Sequence, residues 1–332
     1  MDRRELLKSG LLGVPALGAL TACGGSQPSS SSDDTSLIVD VDRQPDETVA
    51  LWPDVPPGGV PAGLEEHYVE RENKFGLPDR AAHDVTRPAL SIFKPENPTG
   101  EALLLIPGGG YRYVVVEKEG WEGARYFNRR GITCYVMTYR LPHQGWAAGS
   151  DAPLQDAQRA MRVIRARAQT DNIDPARVAA MGFSAGGHVA GSLGLKFDAD
   201  VYQPVDDADR LSARPDRLAM IYPVVTMRAP AAHEGSRIHL IGEAPAEELY
   251  RAYSLDEQAR GDAPPTFFLH SSDDLSVPVA NSVGLYSALN AAGVPAAMHV
   301  FTHGGHGFGV RGLENTPQAV WPQLVLDWWR KA

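Results

Sequence analysis

Cysteine, long apolar runs and clusters of positive charge are all scarce in this chain of 332 residues. Only two cysteines are present, Cys23 and Cys134, so cysteine cannot supply a metal cluster. The formal net charge is −10, and the Lys and Arg residues do not form the clusters that a nucleic-acid surface needs, so no nucleic-acid partner is expected. The whole chain is 43% hydrophobic and 22% charged, an ordinary globular composition that fits one large α/β domain.

The first 23 residues have the pattern of an export signal rather than of a folded domain. Arg3 and Arg4 supply a basic start that resembles a twin-arginine signal, and the apolar stretch from Leu11 to Leu20 is too short to span a bilayer. Residues 20–23, Leu-Thr-Ala-Cys, resemble a bacterial lipobox in which Cys23 is lipidated. We therefore expect an exported protein, held by a lipid on Cys23 to a membrane of the cell envelope, on its periplasmic or cell-surface face. A plain secreted protein and a chance apolar start are the alternatives.

The composition then changes twice along the chain. Residues 24–36 are rich in Ser and predict a tether without a core, and residues 37–87 carry several Pro and Gly residues and predict an irregular N-terminal arm. Residues 88–332 show regular periodicity and predict the main, catalytic domain.

Strands and helices alternate within this main domain. Short apolar runs such as Ala102–Ile106 are typical of buried parallel strands, and Pro153–Gln169 has apolar residues along one side, as an amphipathic helix does. Repeated strand–helix units predict an α/β fold, with a mainly parallel sheet that carries helices on both faces. Residues 227–261 form an insertion, for which we expect a small partial cap.

The stretch from Val178 to His188 carries the main chemical signal. An apolar strand runs into Gly182-Phe183-Ser184-Ala185-Gly186, the pattern of a nucleophile elbow. Small residues two positions before and after the serine are needed, because a sharp strand-to-helix turn leaves no room for larger ones. Ser184 is therefore the candidate nucleophile, although a glycine-serine helix start would give the same pattern.

Candidates for the acid and the base follow the serine in the order that this architecture requires. Asp273 and Asp274 come directly after a predicted strand, and Asp274 is preferred because Asp273 could equally cap the following turn. His306 lies in a glycine-rich loop, which lets an imidazole reach across the sheet. His188, at the start of a predicted helix, is more typical of a packing histidine than of a base.

A glycine loop after another strand predicts the oxyanion hole. In Pro107-Gly108-Gly109-Gly110-Tyr111 the glycines allow backbone N–H groups to turn toward a substrate oxygen. We expect Gly109 and Gly110, with Ala185 of the elbow, to be the donors. No Lys-Ser/Thr pair follows the glycines, which argues against a phosphate loop. The combined, ordered set predicts serine-hydrolase chemistry with no metal and no organic cofactor.

Further motifs resemble the α/β-hydrolase superfamily and, within it, bacterial carbohydrate acetylesterases of the acetylxylan-esterase-like kind. The resemblance runs from about Leu51 to near the C-terminus. It rests on the elbow and glycine loop together with Leu51-Trp52-Pro53, Glu119-Gly120, Tyr139-Arg140-Leu141-Pro142, Asp156-Ala157-Gln158-Arg159-Ala160, Ile221-Tyr222-Pro223-Val224, Asp273-Asp274 with Val277-Pro278, and Gly305-His306-Gly307-Phe308-Gly309.

The resemblance implies a serine esterase that removes acetyl groups from a xylan-type carbohydrate through an acyl-enzyme. In it Ser184 would attack, His306 would relay the proton and Asp274 would orient His306. We expect Tyr111 as a pocket wall and Glu119 as a sugar contact, with a core aromatic and a helix-start carboxylate as the respective alternatives. A broad short-acyl carboxylesterase, a prolyl-oligopeptidase-like peptidase and a non-catalytic binding lipoprotein are the other functional hypotheses. The sequence gives no indication of the oligomeric state.

Overall fold

The computed structural model of the chain describes residues 40–331. The predicted signal peptide with Cys23, and the predicted tether, lie outside the described residues. Among residues 40–331, no helix is both long enough and apolar enough to cross a membrane.

One sheet of eight strands forms the centre of the fold. Its strands, in spatial order, are β1 (Glu47–Ala50), β4 (Ala89–Phe93), β6 (Thr133–Met137), β5 (Ala102–Ile106), β7 (Val178–Phe183), β8 (Leu218–Ile221), β9 (Thr266–Ser271) and β10 (Ala296–Phe301). The six strands β6, β5, β7, β8, β9 and β10 run parallel to one another, whereas β4 is antiparallel to both of its neighbours, β1 and β6. The prediction of a mainly parallel sheet is therefore confirmed.

Helices cover both faces of the sheet, as predicted. They are α1 (Glu122–Asn128), α2 (Ala152–Ala166), α3 (Ala185–Leu195), α4 (Glu234–Ile241), α5 (Glu247–Tyr253), α6 (Ala280–Ala291) and α7 (Trp321–Lys331). Side chains of α2, α3 and α6 belong to one apolar cluster, and those of α1 and α7 belong to a second. Both faces of strand β5 are buried, which explains why its sequence is apolar throughout. Leu104 and Ile106 belong to the first cluster, and Leu103 and Leu105 belong to the second.

The predicted irregular arm, residues 37–87, contains three strands in its described part. Strand β1 pairs with β4 as the edge of the main sheet, and β2 (His67–Glu70) pairs with β3 (Arg80–His83) as a separate two-stranded sheet. The prediction was wrong here because each strand has only four residues and the Pro and Gly residues around them dominate the pattern. The arm is thus part of the catalytic unit rather than an irregular addition to it.

The arm also contacts two interior elements. Ala82 of β3 exchanges two backbone hydrogen bonds of 2.8 and 2.9 Å with Val114, close to the glycine loop. Trp52 donates its indole N–H to Asp156 of α2 at 2.8 Å, and the same carboxylate pairs with the fully buried Arg140 at 2.8 Å. Residues 40–87 are therefore fastened both to the core and to the loop that the sequence predicts for the oxyanion hole.

Candidate active site

Ser184 occupies the sharp turn between β7 and α3. Its backbone angles, φ 54° and ψ −121°, lie in a region that non-glycine residues rarely adopt. A β-carbon on Gly182 would lie 2.2 Å from the carbonyl oxygen of Gly186, and one on Gly186 would lie 2.1 Å from that of Ile106. The steric reason predicted for glycine at these two positions is therefore confirmed, and the turn lifts the serine hydroxyl to the carboxyl edge of the sheet.

The structure brings the three predicted catalytic side chains together. His306, from the loop after β10, places Nε2 2.8 Å from Oγ of Ser184. Its Nδ1 lies 2.6 Å from Oδ2 of Asp274, which follows β9. These distances form an unbroken hydrogen-bonded series from the hydroxyl through the imidazole to the carboxylate.

Asp274 is held as an ionised carboxylate. Its Oδ1 accepts the backbone N–H groups of Ser276 and Val277 at 2.9 and 2.8 Å, and its Oδ2 meets two imidazoles. Burial by itself raises the pKa of Asp274, but hydrogen bonds from His270, His306 and the N–H of Val277 more than offset it and hold the pKa well below the usual range. The carboxylate is therefore charged wherever the protein is folded at ordinary pH.

Asp273, the alternative acid, has a different role. Its Oδ1 accepts the N–H of Gly305 at 2.9 Å, and its Oδ2 lies 3.3 Å from Nδ1 of His303. The side chain thus holds the glycine-rich loop in place rather than the imidazole of His306. The turn cap that was considered for Asp273 is formed instead by Asp274.

His270 is a neighbour of the site that the sequence analysis missed. It is fully buried at the end of β9, and its Nε2 lies 2.9 Å from the carbonyl of Val277 and 3.3 Å from Oδ2 of Asp274. Since a carbonyl can only accept, Nε2 carries the proton, and Nδ1 accepts from the hydroxyl of Ser282 at 2.7 Å. A His four residues before the acid, at a strand end, is the signal that could have drawn attention to it.

The glycine loop adopts a left-handed course beside Ser184. Gly109, Gly110 and Tyr111 have φ values of 130°, 65° and 59°. A β-carbon on Gly109 would lie only 2.0 Å from the carbonyl oxygen of Tyr113, so glycine is required there. Within residues 40–331 the N–H groups of Gly109, Gly110 and Ala185 have no acceptor, which leaves all three of the predicted oxyanion donors free for a ligand.

Glu119 lines the site but uses its oxygens within the chain. The side chain is buried, accepts the N–H of Gly108 at 2.8 Å, and accepts the hydroxyl of Tyr222 at 3.2 Å. Tyr222 in turn accepts the N–H of Gly309 at 3.1 Å. Glu119 thereby connects the glycine loop to the loop that carries His306. The predicted sugar contact of Glu119 stays a prediction beside this observed role.

The prediction of Tyr111 as a pocket wall is wrong. The ring is 1% exposed and lies in the apolar cluster on the α2 and α3 face, because the left-handed backbone reverses the chain just before it. Its hydroxyl lies 2.7 Å from Nδ1 of His188, whose Nε2 donates to the carbonyl of Tyr253 at 2.7 Å. Burial lowers the pKa of His188 to about 4, so this imidazole is neutral and packs, as predicted.

A cavity of about 430 Å³ opens in front of Ser184. The glycine loop forms one wall and the His306 loop forms another. The insertion, predicted as a partial cap, contributes His233 and Gly235 from the start of α4 and His239 from its last turn. Nδ1 of His239 also lies 3.1 Å from the carbonyl oxygen of Gly110. The arm contributes Arg71.

The sheet, the serine on its strand-to-helix turn, and the imidazole and carboxylate delivered from later strand ends define an α/β hydrolase. Comparison with known proteins gives the finer placement. The chain belongs to the BD-FAE family, whose model matches residues 90–289.

Similar proteins include enzymes named for xylan. The acetylxylan esterase of Xylanibacter ruminicola is 33% identical over 224 residues, which are 66% of this chain and 43% of that protein. Endo-1,4-beta-xylanase B of Butyrivibrio fibrisolvens is 37% identical over 210 residues, which are 63% of this chain and 33% of that protein. The chain therefore spans less than half the length of either of these curated relatives.

Solved structures share the fold over most of the chain. The acetyl ester-xyloside bifunctional hydrolase of Caldicellulosiruptor lactoaceticus has 32% identity and a TM-score of 0.68, and the match covers 86% of this chain and 96% of that one. The Est2 esterase of Thermogutta terrifontis, in its propionate-bound structure, has 22% identity and a TM-score of 0.60, covering 82% and 96%. The second likeness bears on the fold alone.

Proposed function

We propose that this chain is a serine esterase that removes acetyl groups from a carbohydrate of the xylan type. The observation that carries the proposal is the hydrogen-bonded series Ser184–His306–Asp274 at the floor of an open cavity. Acetyl ester and xylan enter the proposal through the names of the relatives at 32–37% identity.

Acylation begins at the serine hydroxyl. His306 Nε2 takes the proton from Ser184 as Oγ attacks the ester carbonyl, and Asp274 stabilises the imidazolium that forms. The carbonyl oxygen becomes an oxyanion, which the free N–H groups of Gly109, Gly110 and Ala185 are placed to receive. Each such donor contributes about 10²- to 10³-fold in kcat, because it acts on charge that develops only in the transition state.

Release of the sugar and of acetate completes the cycle. His306 returns its proton to the leaving sugar oxygen as the C–O bond breaks, leaving acetyl on Ser184. A water molecule then attacks the acyl carbonyl, again giving its proton to His306, and the proton passes to Oγ as acetate leaves. The products are acetate and a free sugar hydroxyl, and the enzyme returns to its starting state.

Acetate release from acetylated xylo-oligosaccharides, measured beside hydrolysis of p-nitrophenyl acetate and butyrate, tests this function. We expect acetate from the oligosaccharide, and a loss of about 10⁴-fold or more in kcat for Ser184→Ala. Ser287→Ala, a change at an exposed serine of α6, is the matched control and should retain full activity. Hydrolysis of the aryl esters alone would favour the broad carboxylesterase, and full activity in Ser184→Ala would contradict the mechanism.

Export and anchoring through Cys23 remain part of the proposal, supported by the sequence of residues 1–23. The full chain, expressed in a bacterium that is fed a fatty-acid probe, should take up the label and fractionate with membranes. Cys23→Ser should abolish the labelling, because no thiol remains for the lipid. Equal labelling of Cys23→Ser and the unchanged chain would show that the lipobox assignment is incorrect.

A further inference from the structure

The cavity in front of Ser184 has a basic lining in a protein that is acidic as a whole. Arg71, Arg112 and Lys118 all line it, whereas the formal charge of the chain is −10. A cleft lined by charges of one sign attracts ligands of the opposite charge, even when the net charge of the protein has the same sign as the ligand. The lining therefore points to an anion as part of the ligand.

Two of these basic side chains have no acidic partner. Within residues 40–331, neither Arg112 nor Lys118 forms an ion pair or a side-chain hydrogen bond. Arg71 is only loosely paired, since its guanidinium lies 3.7 Å from Oδ2 of Asp79. Elsewhere the chain pairs its buried and half-buried arginines closely, as in Arg140–Asp156 at 2.8 Å. Lys118, which is half-buried, and the exposed Arg112 are thus both free to bind an anionic ligand at the site.

The same lining, over the described residues, has no free carboxylate or amide side chain to set against its basic residues. The one carboxylate, Glu119, already accepts hydrogen bonds from Gly108 and Tyr222. Among the described residues that line the cavity there is no Asp, Asn or Gln to accept from sugar hydroxyls. The other noncatalytic side-chain acceptors of the lining are the hydroxyls of Tyr113 and Ser276 and the imidazoles of His233 and His239, which do not repel a carboxylate as a free Asp or Glu would.

Lys118 indicates which side of the ester carries the charge. Its Nζ lies 3.7 Å from the point where a β-carbon would stand on Gly307, next to His306. His306 must protonate the leaving sugar oxygen, so the sugar lies on this side of Ser184. The ammonium group is therefore beside the sugar rather than beside the acyl group.

We propose that the ester substrate carries a carboxylate on its sugar portion, as a uronic acid does, and that Lys118 and Arg112 bind it. The inference rests on the proposed function and narrows its substrate to acetylated acidic oligosaccharides. Lys118 supplies a point charge beside His306, and Arg112 supplies a planar fork that accommodates both carboxylate oxygens. Arg71 adds positive charge at the arm side of the cavity.

The test compares two substrates that differ only at the carboxylate. One is an acetylated xylo-oligosaccharide with a uronic acid branch, and the other is the same oligosaccharide after its carboxyl has been reduced to an alcohol. We expect kcat/KM to be about tenfold or more higher for the acidic form, which corresponds to one charge-assisted hydrogen bond. The ratio should shrink as salt is raised to about 0.5 M, because exposed charges are then screened.

Charge-removing variants locate the effect. In Lys118→Met and Arg112→Gln the ratio of the two kcat/KM values should fall toward one. Arg210→Gln, which removes the same charge from an exposed residue outside the cavity lining, should keep the ratio of the unchanged enzyme. The ratio is internal to each variant, so a change in the amount of folded enzyme cancels from it.

Each remaining outcome decides between the two proposals. Equal kcat/KM for the acidic and reduced forms would overturn the carboxylate site while leaving the acetylesterase function standing. A neutral xylo-oligosaccharide bearing a succinyl ester, hydrolysed faster than its acetyl analogue, would place the anion on the acyl side and overturn the assignment. Release of acetate from none of these sugars, with p-nitrophenyl acetate still hydrolysed, would remove the proposed function and this inference with it.

Discussion

Asp274 makes full use of both of its carboxylate oxygens. One oxygen closes the turn by accepting two backbone N–H groups, and the other receives His306 and the buried His270. Hydrogen bonds from this many donors stabilise the charged form of the carboxylate and restrict its rotation. The side chain therefore fixes the orientation of His306 as well as supplying charge.

Exchanging each aspartate of the pair for asparagine should separate their roles. Asp274→Asn is expected to lower kcat by about 10⁴-fold, because an amide presents the wrong hydrogen-bonding pattern to Nδ1 of His306. Asp273→Asn should cost far less, since Asp273 binds Gly305 and His303 rather than His306. Steady-state hydrolysis of p-nitrophenyl acetate measures both. Similar losses in the two variants would mean that loop position, not imidazole orientation, limits the rate.

For single residues, the sequence predicts which side chains meet better than it predicts which way a side chain points. The order of motifs along the chain was enough to foresee that Ser184, Asp274 and His306 would meet, because parallel strands deliver their ends to one edge. The burial of Tyr111 was not foreseeable, since it depends on left-handed angles at residues that precede it. His270 was missed because its one signal, a position four residues before the acid at the end of an apolar strand, belongs to no catalytic motif.

Among the elements, those with long periodic patterns were predicted well. The strand predicted at Ala102–Ile106 is β5 with those bounds, and the helix predicted at Pro153–Gln169 is α2, which ends three residues earlier, at Ala166. Strand β8 ends at Ile221, because Tyr222 has a φ of 39° and leaves the extended conformation. The short strands of the arm carry too few residues for alternation to be detected, and their pairing depends on distant partners.

Helix α2 anchors the arm through one buried carboxylate. Asp156 accepts from the indole of Trp52 and pairs with Arg140, whose side chain is completely buried. Asp156→Ala leaves that guanidinium without its counter-charge, so we expect the free energy of unfolding to fall by about 3–5 kcal/mol. Urea denaturation followed by tryptophan fluorescence measures the change. Asp207→Ala, at an exposed aspartate, should change stability by less than about 0.5 kcal/mol, and an equal effect would refute the anchoring role.

On the scale of the whole molecule, several carboxylates connect distant parts of the chain. Asp171 binds Arg167, Lys94 and the hydroxyl of Tyr135, and Glu101 binds arginines of the closing helix α7 and of the segment before β7. Burial raises the pKa of both carboxyls, but their hydrogen-bonded partners more than offset it, and both pKa values lie below the ordinary range. Folding therefore favours the ionised form of each group.

This linkage predicts how stability depends on pH. A carboxyl whose pKa is lower in the folded than in the unfolded state stabilises fully above its unfolded pKa of about 4, and the stabilisation is lost as the pH falls through the folded pKa. The urea midpoint should thus stay nearly level from about pH 7 to 5 and fall below about pH 4. Asp171→Asn should show a shallower fall. A midpoint that rises on acidification would contradict the assignment.

The position of β1 at the edge of the sheet determines where this domain can be cut or fused to another protein. A fragment trimmed to residues 90–289, the span of the family match, would remove β1 from β4 and cut away His306. The bare edge of β4 would then be open to pairing with other chains, which promotes aggregation. A fusion partner should therefore be joined before Glu47 or after Lys331. The fused domain then keeps β1 paired with β4, and it keeps the catalytic base His306.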